Sequence, residues 1–68
     1  MIISVEKLKM AYPVGCRVKL IHMNDVQAPP PDTLGTVTHV DDMGTIHVRW
    51  DNGSSLGLIY GEDEFLTI

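Results

Sequence analysis

Apolar residues near the start of the chain fall at Val5, Leu8 and Tyr12, the spacing of one helix face. Ser4 stands where an N-cap hydroxyl is wanted, Glu6 sits in the first turn, and Pro13 with Gly15 stops the pattern. The prediction is a short helix over 4–12. It is too short to persist alone in water, so its stripe must dock, most simply over the open end of a barrel. From Cys16 the period becomes two: Cys16, Val18 and Leu20 alternate with Arg17 and Lys19, as in a half-buried strand. The stretch 24–34 breaks every periodicity with Asp25, three consecutive prolines (Pro29 to Pro31) and Asp32, and reads as a long excursion with polyproline II character. Three short strands follow at 35–41, 45–50 and 54–59, and a last one at 64–68 after the turn Gly61-Glu62-Asp63.

Turn chemistry fixes an expected register. A type I turn on Asp42 and Met43 with Gly44 left-handed sets Asp41 opposite Thr45. It then pairs Val40 with Ile46, His39 with His47, Thr38 with Val48, Val37 with Arg49 and Thr36 with Trp50. For the second hairpin, a two-residue turn on Asn52-Gly53 would set Leu56 beside Arg49. A three-residue loop with Gly53 left-handed sets Leu56 against Val48 and Leu58 against Ile46, and is preferred because it keeps one apolar face. Five short strands with tight hairpins and a long first loop predict a mainly β fold: a small SH3-like five-stranded barrel over 16–68, preceded by the helix, as one domain over 1–68.

Four strings also carry a resemblance: Tyr12-Pro13-Val14-Gly15-Cys16-Arg17-Val18-Lys19-Leu20, Ala28-Pro29-Pro30-Pro31, Gly35-Thr36-Val37-Thr38, and His47 to Leu56. From about Val5 to Ile68 the chain resembles a family of small uncharacterised proteins found in bacteria, phages and other mobile elements, catalogued only as a domain of unknown function. The resemblance implies the barrel and a mobile-element origin. It implies no catalytic residues. Cys16 departs from the hydroxyl residue more usual there, and 24–27 departs in the loop.

Charge changes the picture. The net charge is −4 over 68 residues, but Lys7, Lys9, Arg17 and Lys19 against Glu6 leave residues 1–23 at +3, and Arg49 against eight carboxylates leaves the remainder at −7. A generic phosphate-backbone binder shows the opposite excess, so nucleic acid is disfavoured. The opening residues do not read as a signal peptide, no segment approaches the ~20 apolar residues of a membrane span, and the chain is expected to be cytoplasmic with no membrane partner.

Candidate chemistry is sparse. Lone Cys16 excludes an internal disulfide, and no Cys/His set has zinc spacing. His39 and His47 face each other in the expected register, yet two ligands do not make a structural metal site, so no metal or other cofactor is expected. Cys16 and His22 are about 20 Å apart along an unbroken strand, too far for a nucleophile and its base. No catalytic set is present and no enzyme is expected. The candidate binding residues are surface groups near the loops: Gln27 and Pro30 in the excursion, Trp50, Tyr60 and Tyr12 as aromatic neighbours, and Arg17, Lys19 and Arg49 as a basic strip. For Trp50, core packing competes with ligand stacking. Val37, Ile21, Ile59, Met23 and part of the helix stripe fall outside the core phase and would form an apolar patch, which points to a homo-oligomer. The leading expectation is a non-catalytic module binding a protein partner and self-associating. The alternatives are a counter-defence inhibitor that occupies a host nuclease or sequesters a signalling nucleotide, and a nucleic-acid-binding barrel.

Overall fold

The computed structural model describes residues 4–68. Helix α1 (Val5–Ala11) is capped as its sequence requires: the Lys7 N–H donates to Ser4 Oγ at 3.2 Å, and the Tyr12 N–H closes the last turn on the Leu8 carbonyl. Five strands follow, β1 (Arg17–His22), β2 (Leu34–Val40), β3 (Thr45–Trp50), β4 (Leu58–Ile59) and β5 (Glu64–Thr67), in one antiparallel sheet of order β4-β3-β2-β1-β5. The edge strands β4 and β5 are joined by the turn through Gly61, where Tyr60 and Asp63 form an isolated bridge and the Asp63 N–H donates to the Ile59 carbonyl, but no ladder pairs the two strands among the described residues. The fold is therefore mainly β with one short helix. No described helix is long and apolar enough to cross a membrane.

The core gathers Val18, Leu20, Val37, Val40, Ile46, Val48, Trp50 and Leu58 from one sheet face, and Leu8 from α1 closes it. Val5 and Tyr12 pack beside Leu8, so the helix stripe is consumed by docking, next to the β2–β3 hairpin. A Cβ on Gly44 would lie 3.5 Å from Leu8 and 3.8 Å from Val5, which places the helix over the hairpin tip. Both hairpin glycines are left-handed as the turn chemistry requires, with φ +88° at Gly44 and +92° at Gly53.

Three expectations are corrected. The β2–β3 ladder starts as expected with Val40 opposite Ile46 and His39 opposite His47, then bulges at Thr38 and continues Val37–Val48, Thr36–Arg49, Gly35–Trp50. The reason is spacing: Val37 and Val40 are three apart and cannot share a face of a regular strand, so one extra residue is extruded to bury both. Val37 is thus 0% exposed, not part of a surface patch, and Met23 also packs against the core. The fourth strand begins at Leu58 rather than at 54. The Leu58–Ile46 pairing stands, but Leu56 leaves the ladder and its carbonyl accepts the Trp50 indole N–H at 2.8 Å, while Gly57 passes so close to Thr45 that a Cβ would lie 2.6 Å from Cγ2. Apart from these corrections, the described strands form one five-stranded antiparallel sheet in which no ladder pairs β4 with β5.

Candidate functional site

Trp50 is placed inside. It is 1% exposed, stacked over Gly35, with its only polar atom satisfied by Leu56, so its ring offers no face to a ligand. The inward phase of Ile46, Val48 and Trp50 required this. Tyr12 and Tyr60, by contrast, do come together: their ring centroids are 6.4 Å apart, and Phe65 joins them 5.4 Å from Tyr12. Phe65, which pairs with Leu20 across β1–β5, was not singled out from sequence; its alternation with outward Leu66 is the signal that carried it. Tyr60 remains 47% exposed. Burial, and secondarily Tyr60 and Cys16, push the Tyr12 hydroxyl above the ordinary tyrosine range, which keeps it a neutral donor.

Beside Tyr12 the chain turns through Pro13 and Val14 and runs along the end of β2. Together with Lys9, His39 and Val40 these residues line an open groove of about 290 Å³. Val14 is 75% exposed on its wall. The groove combines apolar side chains with two nitrogen-bearing ones, a composition that suits recognition.

The basic strip exists in register, and its charge is partly neutralised, with Arg49 left exposed. Cross-strand pairing puts Arg17, Thr36 and Arg49 in one row over three strands. Arg17, however, holds Asp51 in a bidentate pair at 2.9 and 2.7 Å and donates to Thr36 Oγ1 at 2.8 Å. The pairing raises the Arg17 pKa and holds the Asp51 carboxyl below the usual range. Lys19 lies 4.0 Å from Asp32, and Lys9 lies 3.5 Å from Asp42. Gln27 and Pro30 are exposed on the excursion, whereas Pro29 is buried.

His39 and His47 do meet, as stacked imidazoles with centroids 4.2 Å apart and planes inclined by 6°. His47 Nε2 lies 2.8 Å from Asp41 Oδ2, and Thr38 Oγ1 lies 3.2 Å from His39 Nδ1. The His47 contact, reinforced by the Thr45 and Met43 backbone N–H groups on Oδ1, lowers the Asp41 pKa. Parallel rings send their lone pairs in parallel directions, so the stack cannot converge on one ion without rotating a ring. No cluster of three or more metal-ligating side chains occurs among the described residues. Cys16 packs partly buried against the core.

No curated protein and no solved structure matches this chain. A family profile does, over residues 3–68, so the chain belongs to the family described as Domain of unknown function (DUF4314).

Proposed function

We propose that this chain is a non-catalytic interaction module that binds a protein partner and also associates with copies of itself. The observation that carries the reading is the fate of the cations. Arg17 is held by Asp51, and Lys19 and Lys9 lie loosely beside carboxylates of the same chain with Arg49 exposed, while the aromatic group around Tyr12 and Tyr60 and the adjoining groove stay open. A phosphate ligand would have to compete with Asp51 for Arg17, the centre of the basic strip, which weakens the nucleic-acid and nucleotide-sequestering readings. Exposed aromatic and aliphatic groups suit a protein surface instead. The strand order and the single-turn link from β4 to β5 support an SH3-like barrel as the finer architecture, and the resemblance carried by the Tyr12–Leu20 and His47–Leu56 strings supports a phage or mobile-element setting in the cytoplasm.

The test is a salt titration. Partner binding recovered from host lysate should survive ~0.5 M salt and be lost in Tyr60→Glu, and labelled single-stranded DNA or RNA should show no saturable binding. Nucleic-acid affinity that falls steeply with salt would overturn the reading.

A further inference from the structure

We infer that the groove beside Tyr12 receives the proline segment of a second copy of this chain, in a head-to-tail contact. The inference rests on the self-association part of the reading above.

The two surfaces complement each other. The groove lining carries Lys9, His39 and the neutral Tyr12 hydroxyl but no carboxylate, although the chain as a whole carries −4. Its apolar walls are Tyr12, Pro13 and Val14. The 24–34 excursion is the reverse: exposed Pro30 and Pro31 and a fully exposed Val26 lie between the exposed carboxylates of Asp25 and Asp32. A proline-bearing loop whose backbone is already fixed loses little freedom on entering a groove. Here the order is built in. The Asp32 N–H donates to the Leu20 carbonyl at 2.7 Å, Thr33 Oγ1 to the Pro30 carbonyl at 2.6 Å, and the Gln27 N–H to Asp25 Oδ1 at 2.8 Å. Docking therefore costs little further entropy.

Geometry assigns the occupant to another molecule. The excursion ends at Leu34, the start of β2, and the groove takes its His39 and Val40 walls from the other end of the strand. Five or six residues of extended chain separate them by roughly 20 Å, so a chain cannot fill its own groove. The present partner of Lys9, Asp42, sits at 3.5 Å with its side chain almost fully exposed, a contact weak enough to exchange. Lys19 and Asp32, at 4.0 Å, are held no more firmly. A contact between two different patches is heterologous and propagates into rings or filaments.

The test uses two surface variants and their mixture, with Trp50 fluorescence confirming that each is folded. Val14→Glu places a carboxylate in the groove, and Pro30→Lys places a cation on the segment. In sedimentation over ~10 µM to ~1 mM, the range of weak protein contacts, the wild-type mass should rise and each variant alone should stay monomeric. Mixed, they should form a capped one-to-one pair, because one supplies an intact segment and the other an intact groove. A peptide of residues 25–33 should shift the NMR signals of Tyr12, Val14 and His39. A wild-type monomer throughout, or a mixture that stays monomeric, overturns the inference. Association untouched by either variant also overturns it, while leaving self-association through another face standing.

Discussion

Gly35→Ala tests the packing that defines the core. Gly35 is buried opposite Trp50, and a Cβ added there would lie 2.5 Å from Val48 Cγ1, 2.8 Å from Trp50 Cε3 and 3.1 Å from Trp50 Cδ2. Carbon atoms rest at about 3.5–4.0 Å, so the overlap is on the order of 1 Å against side chains that are themselves buried. The indole cannot slide away without straining its 2.8 Å bond to the Leu56 carbonyl. Overpacking of this kind costs roughly 1–3 kcal/mol, and alanine's stiffer unfolded chain returns about 0.4–1 kcal/mol. The clash wins. A net loss of about 1–2 kcal/mol should lower Tm by about 4–16 °C in a domain this size, read by the fluorescence of Trp50, the single tryptophan, and by far-ultraviolet circular dichroism. In a Val48→Ala background the nearest clashing atom is gone, so the Gly35→Ala penalty should shrink by about 0.5 kcal/mol or more. Equal penalties in both backgrounds, or an unchanged Tm, would refute the packing argument.

Gly53→Val should cost about 1–3 kcal/mol from backbone strain alone, since φ is +92° with open space around the site; a denaturant midpoint equal to wild type contradicts it. Val37→Glu should unfold the chain rather than dissociate it, with loss of the native Trp50 emission as the readout, because Val37 is 0% exposed. Asp41 and Asp51 have lowered pKa values in the folded chain, so each contributes stability at neutral pH that is lost as pH falls through about 4 and below the folded value; Asp51→Asn should flatten the urea midpoint over that window, and a parallel curve would remove Asp51 from the account. The stacked geometry of His39 and His47 predicts a Tm unchanged by a strong chelator, and a drop of several degrees with recovered metal would contradict it.

Local rules carried much of this fold. The cap on Ser4, the helix stripe, the left-handed Gly44 and Gly53, and the His39–His47 and Leu58–Ile46 pairings follow from side-chain chemistry acting over a few residues, and were legible in one dimension. The bulge at Thr38 was half legible: Val37 and Val40 announce a broken period, but only the fit of Trp50 over Gly35 shows that the strand absorbs it there, and every pairing beyond it shifts. The candidate site divides the same way. Tyr12 and Tyr60 were named by residue type and do lie together, whereas Trp50, named as a binding residue by the same criterion, is buried in the core as its phase with Ile46 and Val48 requires. That Phe65 completes the aromatic group, that Arg17 is held by Asp51 and that Val14 walls a groove with His39 depended on segments far apart in sequence. Hydrophobic period and turn chemistry are encoded locally, whereas which carboxylate meets which cation is settled only when the strands pair, because Coulomb contact is short-ranged in water and indifferent to sequence distance.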